Sequence, residues 1–99
     1  MNIRKLRYHE DASACVHEYR KDYGDLANRD VLVSYTTAVL AIDYDSYIVI
    51  CNGLYSRTTI KHISWFMREK GMDYYIARKC FKENCMYNFA EKKFIPRPA

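Results

Sequence analysis

Two short runs of β-branched and aromatic residues place the strongest constraint on how this chain folds. Residues 31–35 and 47–51 have the composition that is typical of β-strands. Between them, the Asp and Ser side chains of residues 43–46 hydrogen-bond their own backbone and so favour a turn. We therefore predict an antiparallel hairpin over about 31–52, with a kink near Thr36 that makes it a sheet of two to three strands.

An amphipathic helix is predicted after the hairpin, over about 57–70. Ser56 can accept a hydrogen bond from an amide of the first helical turn, and Gly71 can end the helix in the left-handed conformation. Four apolar residues recur at helical spacing, on the face that should cover the sheet: Ile60, Ile63, Phe66 and Met67.

Further helices are predicted on both sides of this central unit, which gives a small α+β fold. Apolar residues at helical spacing indicate an N-terminal helix over about 10–22. A C-terminal helix is predicted over about 73–84, with a strand over 74–77 as the alternative. After residue 89 we expect an extended tail, because two prolines interrupt both helix and sheet hydrogen bonding.

Length and composition favour one soluble domain. The 99 residues are 49% apolar, so we expect a single folded domain over 1–99 with its core in 31–71. No apolar run approaches the roughly 20 residues of a membrane span. Four cysteines without a secretory signal suggest reduced thiols, and we therefore expect a cytoplasmic protein that binds no membrane.

Positive charge is concentrated in one segment. Residues 57–82 carry seven Lys or Arg against two acids, a net charge of five positive. Interleaved aromatic residues such as Trp65 would let this segment contact phosphates and stack on bases. The alternative is a solvated surface of two helices that binds nothing. The candidate phosphate contacts beyond the central helix are Arg78, Lys79 and Lys82.

Motifs for metal binding or catalysis are not evident in the sequence. Cys80 and Cys85 are not at the short spacing of zinc knuckles, and burial is the common fate of free cysteines. His62 could act as a general base, but a lone histidine near a helix start more often packs or hydrogen-bonds. We therefore expect no metal site, no cofactor and no enzymatic activity.

Ten tyrosines in 99 residues call for an explanation. One interpretation is sheet preference, because tyrosine packs well on pleated surfaces. The other is an adhesive surface, because tyrosine and tryptophan dominate binding hot spots. A chain of this size could bury several of its tyrosines in a homodimer.

Two motifs carry a family resemblance. Ser34-Tyr35-x-Thr37-x-Val39 and Tyr55-Ser56-x-Thr58-Thr59-x-x-His62-Ile63 resemble the core of an uncharacterised family of short proteins from phages and plasmids of Gram-positive bacteria. The resemblance covers about 31–71. It implies a mobile-element accessory protein acting in the cytoplasm of a bacterial host, and it carries over no active site.

The resulting hypothesis is a non-enzymatic interaction protein of a mobile element that inhibits a host defence protein such as a CRISPR nuclease. Its net charge of +4 makes it a poor DNA mimic, so inhibition would use contact with a protein or a bound nucleic acid. The alternatives are a DNA- or RNA-binding accessory protein and a dimeric assembly factor. The expected partner contacts are Tyr55, Arg57, Lys61, His62, Trp65 and Arg68.

Overall fold

A seven-stranded antiparallel sheet organises this protein, as seen in a computed structural model that describes residues 1–98. The strands lie in the sheet in chain order, so the sheet is a simple meander. Along the chain, two helices separate the fifth strand from the sixth. The strands are β1 Asn2–Arg4, β2 Ala14–Tyr19, β3 Arg29–Ser34, β4 Thr37–Asp43, β5 Ile48–Cys51, β6 Cys85–Asn88 and β7 Lys93–Pro96, and the helices are α1 Arg57–Glu69 and α2 Tyr74–Lys82.

The predicted fold, a sheet of two to three strands with flanking N- and C-terminal helices, is wrong. β3, β4 and β5 lie in the predicted 31–52 segment or overlap its start, but four further strands extend the sheet on both sides. The 10–22 segment contains β2, which pairs with β1 and β3, and only a 3₁₀ turn at Lys21–Tyr23 is helical there.

The strand conformation of β2 follows from a period of two that the helical interpretation overlooked. Ala14, Val16 and Glu18 alternate along β2 and are all buried. The buried carboxylate of Glu18 is satisfied by Arg4 and Asn2 of β1, at 2.8 and 2.9 Å. Those partners lie 14 and 16 residues away, so tertiary contacts complete the strand that this alternation indicates.

Local capping signals place the start of both helices. The Ser56 side chain accepts a hydrogen bond from the Thr59 backbone N–H at 3.1 Å, and the Asp73 side chain accepts one from Tyr75 at 2.8 Å. The helix predicted over about 57–70 corresponds to α1, and the segment predicted over about 73–84 contains α2. However, α2 is not C-terminal, since β6 and β7 follow it.

The segment after residue 89 also differs from the prediction, because 93–96 form β7 instead of an extended tail. Pro96 is the last residue of β7, which is an edge strand, and an edge strand tolerates proline because one of its sides needs no hydrogen-bond donor. The single-domain prediction for 1–99 includes Ala99, which lies outside the described residues.

Both helices pack on one face of the sheet, here called the inner face. Ile63, Phe66 and Met67 of α1 and Ala77 and Cys80 of α2 are fully buried against it. The inner-face side chains in the same core include Val16, Leu32, Leu40, Ile42 and Val49. In the part of the chain described, neither helix is long and apolar enough to cross a membrane.

Candidate functional site

The solvent side of α1 carries a line of cations. Arg57, Lys61 and Arg68 are spaced so that they project from the same side of the helix, and all three are exposed. The opposite side of α1 faces the core. The amphipathic pattern that buries Phe66 therefore also directs these cations into solvent.

α2 adds two more exposed cations to the helical layer, Arg78 and Lys82. Lys79, also a candidate phosphate contact, is half-buried and forms an ion pair with Glu83 at 3.8 Å. Its ammonium also lies 4.6 Å from the centre of the Phe94 ring. Lys79 is thus already engaged in contacts within the protein.

These exposed cations of α1 and α2 are not neutralised by acids. Across residues 1–98, none of the five forms an ion pair, whereas Arg4, Arg20 and Lys70 each pair with a buried carboxylate. The acids nearest in sequence are already engaged: Glu69 pairs with Arg4, Asp73 caps α2, and Glu83 pairs with Lys79. We call this surface the basic helical face; it consists of Arg57, Lys61, Arg68, Arg78 and Lys82.

Aromatic side chains adjoin the basic helical face. Tyr55, just before α1, is 65% exposed, and its hydroxyl donates a hydrogen bond to the Asn52 carbonyl at 3.0 Å. The Tyr55 ring lies over Gly53, where an added Cβ would be only 2.1 Å from the ring. Trp65 is half-buried and stacks on His9 with ring centres 4.6 Å apart. Tyr75 and Phe81 of α2 are exposed.

His62 was expected to be at least half-exposed for partner contact, and this expectation is wrong, because its side chain is fully buried. Its Nδ1 is hydrogen-bonded to the Ser34 hydroxyl at 2.8 Å, and its Nε2 lies 3.0 Å from Asp11 Oδ2. The exposure was predicted wrongly because Ser34 and Asp11 lie on other elements, 28 and 51 residues away.

This buried polar cluster connects three elements. Asp11 lies in the β1–β2 loop, Ser34 ends β3, and His62 belongs to α1. Hydrogen bonds from the Ser13 hydroxyl and backbone, followed by the contact with His62, hold the pKa of Asp11 well below its usual range. Ser34 is 2% exposed and has no open surface for a substrate, so the cluster supports the fold rather than nucleophilic chemistry.

A second buried polar site was missed by sequence reasoning. Asp30 of β3 is fully buried and accepts hydrogen bonds from Lys70 at 2.6 Å, the Tyr44 hydroxyl at 2.7 Å and Arg20 at 2.8 Å. Burial raises the pKa of Asp30, but the bonds from Lys70 and Tyr44 outweigh burial and hold it below its ordinary value. Because Asp30 has the same strand parity as Leu32, alternation could have indicated its inward position.

The four cysteines are free thiols, and two of them, Cys51 and Cys80, are buried. Burial raises the pKa of Cys80 to about 12, so this thiol remains protonated near neutral pH. Within residues 1–98, no group of three or more His, Cys, Asp or Glu side chains is arranged to hold a metal ion.

The fold and the surface together describe a small protein with an antiparallel meander sheet, one helical layer and a basic helical face. The sequence model of one family matches residues 1–83, and the chain belongs to that family, a family of unknown function (DUF8033). The matched segment contains β1 to β5 and both helices. Comparison with curated proteins and with solved structures found no match.

This family membership agrees with the resemblance to an uncharacterised family, and the match extends well beyond 31–71. The structure also brings the two motifs of the resemblance together. Ser34 of the first motif contacts both Thr59 and His62 of the second, and Thr59 contacts the Ser56 cap. The motif residues therefore join β3 to the start of α1.

Proposed function

We propose that this chain is a non-enzymatic binding protein that contacts the phosphate backbone of a nucleic acid through its basic helical face. The observation that carries the proposal is the set of five exposed cations on two adjacent helices, none of which pairs with an acid in residues 1–98. Phosphate contacts release condensed counterions, so unpaired surface cations are the groups that gain most from such binding.

The composition of the face supports phosphate as its ligand. Three of its five cations are arginines, whose planar guanidinium forms paired hydrogen bonds to phosphate oxygens. The exposed Tyr75 and Phe81 on α2 offer ring surfaces on which unpaired bases can stack. Backbone contact and stacking carry little sequence information, so we expect binding with weak sequence preference.

The test is binding of the purified protein to a labelled random duplex and to a labelled single strand, at low and moderate salt. If three to five phosphates are contacted, duplex affinity should fall about 40-fold to about 500-fold between about 50 and about 200 mM salt. The double variant Lys61→Glu/Arg78→Glu should abolish binding.

The matched control is Lys5→Glu/Lys92→Glu, which makes the same change in net charge at exposed residues outside the helices. This control should keep most of the affinity. Absence of binding at about 50 mM salt, or an equal loss in both double variants, would overturn the proposal.

As a second candidate function, the chain would be a phage or plasmid product that inhibits a host protein in a bacterial cytoplasm. An RNA-guided nuclease is an example of such a host protein. The observation that favours this candidate is the exposed Tyr55 ring, held over Gly53 beside Arg57, because preorganised aromatic residues and arginines dominate protein interfaces. The mobile-element origin rests on the resemblance alone.

This candidate predicts binding to a purified nuclease–guide complex that persists at about 200 mM salt, because a tyrosine-centred contact is screened little. Tyr55→Ala should weaken that binding by at least about tenfold, while Tyr8→Ala, at a residue that is 73% exposed, should leave it unchanged. Binding that disappears with salt, or equal effects of the two variants, would argue against it.

A further inference from the structure

The face of the sheet opposite the helices, here called the outer face, is apolar. In the described chain, α1 and α2 pack only on the inner face, and alternate residues of every strand therefore point outward. The strand register aligns one outward row across five strands: Ile3, His17, Val31, Ala41 and Ile50.

This composition is unusual for a sheet face left to solvent. Antiparallel sheets covered on one side normally alternate apolar inward with polar outward residues. Here the charged outward residues of β3 and β4, Arg29 and Asp43, form an ion pair with each other, with a guanidinium nitrogen 3.2 Å from a carboxylate oxygen. The large aliphatic residues that point outward are Ile3, Val31, Val33, Ile48, Ile50 and Ile95.

A fully exposed leucine lies at one corner of the outer face. Leu26 is 99% exposed and borders a hollow that Tyr19 and Arg29, which are both outward residues, also line. Its loop is held on both sides. The Asp25 carboxylate accepts a hydrogen bond from the Arg20 backbone N–H at 2.8 Å, and Asn28 forms two hydrogen bonds with Asp45, each 3.1 Å long.

A loop held in this way keeps Leu26 in solvent without the freedom to fold back onto the protein. A leucine left in solvent forgoes the favourable free energy of burying its side chain. A rigid loop reduces the entropy that is lost when this side chain binds. Leu26 is therefore a preorganised apolar anchor.

The outer face also contains a groove for such an anchor. A groove of about 400 Å³ lies over β4 and β5, with Ala41, Ile48, Ile50 and Met86 among its lining. Arg29 borders both this groove and the hollow beside Leu26, so the two lie next to each other on the same face.

We propose that a second copy of this chain covers the outer face, in a two-fold symmetric dimer in which Leu26 of each copy enters the groove of the other. A two-fold interface uses the same patch twice, and this patch carries both an anchor and a receiving groove. Facing sheets pack about 10 Å apart with interdigitated side chains, which suits the aliphatic rows of the outer face.

The size and chemistry of the face fit this occupant. Seven strands of this length give a projected area of roughly 500 Å², and its side chains and the Leu26 loop bring the accessible area toward the ~800 Å² per partner of a stable interface. A nucleic acid is a poor occupant, because the outward cations of the described strands, Arg29 at the start of β3 and Lys93 at the start of β7, are already paired with Asp43 and Glu91.

The test is the mass of the full chain in solution, measured by sedimentation equilibrium from about 1 to about 200 µM. The wild type should show twice the chain mass of 11.8 kDa at the upper concentrations. Leu26→Ser should raise the dimer dissociation constant at least about tenfold, because two apolar anchors are lost per dimer. Ile50→Lys should give a monomer at every concentration.

The control is Tyr75→Ser, which removes an exposed aromatic from the helical side and should leave the mass distribution unchanged. Leu26→Ser cannot disturb internal packing, since Leu26 makes almost none, so this variant stays informative even if Ile50→Lys misfolds. A monomer over the whole range, an assembly larger than a dimer, or identical behaviour of Leu26→Ser and wild type would overturn the proposal.

Discussion

At the residue scale, His62 connects parts of the chain that no local signal relates. It bonds Ser34 at the end of β3 and Asp11 in the β1–β2 loop, and both ring nitrogens are used. A histidine in this position determines how α1 packs on the sheet. Its replacement should therefore lower the free energy of unfolding, whether or not a partner is bound.

We predict that His62→Ala lowers the free energy of unfolding by about 2–4 kcal/mol, because it leaves a cavity and an unpaired buried Ser34 hydroxyl. Urea unfolding followed by circular dichroism measures this change. Lys61→Ala, at the exposed neighbouring position, should stay within about 0.5 kcal/mol of wild type. Equal stability of the two variants would show that the buried cluster does not hold α1.

Asp30 makes stability depend on pH. Its pKa in the folded protein lies below the ordinary value, so folding favours the charged carboxylate. The stabilisation is therefore complete above the unfolded pKa of about 4 and is lost as pH falls through the lower folded pKa. We expect the urea midpoint to fall between about pH 5 and about pH 3.

The Asp30→Asn variant should be less stable at neutral pH and should show a flatter pH dependence over that interval, because it removes one titrating group. Glu10→Gln, at an exposed acid that forms no ion pair within residues 1–98, is the control and should keep the wild-type slope. A slope in Asp30→Asn as steep as in wild type would assign the acid response to other carboxylates.

At the element scale, α1 combines a local N-cap with tertiary hydrogen bonds to the end of β3. The Ser56 hydroxyl caps the first turn by accepting from the Thr59 amide, and it also contacts the Thr59 hydroxyl, which in turn reaches Ser34. The helix start and the end of β3 are thus coupled through three hydroxyl groups. This coupling explains why the two sequence motifs belong to one structural unit.

Ser56→Ala should lower stability by about 1 kcal/mol, since an uncapped first turn leaves an amide unsatisfied. Ser64→Ala, a serine inside the same helix, is the matched control and should be neutral or slightly stabilising, because alanine has the higher helix propensity. Thermal unfolding compares the two. A loss in Ser64→Ala as large as that in Ser56→Ala would rule out the cap as the cause.

At the scale of the whole molecule, the helical layer and the outer face lie on opposite sides of one sheet. A dimer formed through the outer faces would point its two basic helical faces in opposite directions. If both proposals hold, one dimer should bind two nucleic acid segments at once. The molecule would then act as a bridge between segments, and neither face alone could have this activity.

A bead-retention assay tests this prediction. One duplex is fixed to beads, and a second, fluorescent duplex is retained only if the protein binds both. Wild type should retain the second duplex at about 50 mM salt. Ile50→Lys should still bind a single duplex but retain no second one. Retention by Ile50→Lys equal to wild type would separate bridging from the proposed dimer.

Among the predictions from local sequence, α1 and the turn after β4 are confirmed. The cap at Ser56 and the helical spacing of Ile63 and Phe66 place α1, and the same spacing exposes Arg57, Lys61 and Arg68. In the turn predicted over 43–46, the Asp43 side chain accepts hydrogen bonds from the backbone of Asp45 and Ser46. Each of these features is decided by atoms within a few residues.

The features that sequence reasoning missed depend on contacts between residues that are far apart in the chain. β2 became a strand because β1 and β3 supply its hydrogen bonds, and Asp30 and His62 are buried because their partners arrive from 40 and 51 residues away. Helical and strand periods overlap in short segments, and burial of a polar group depends on whether a distant partner meets it. By itself the sequence therefore determined the amphipathic helix and its cations, while long-range pairing determined the seven-stranded sheet, its buried charges and its apolar outer face.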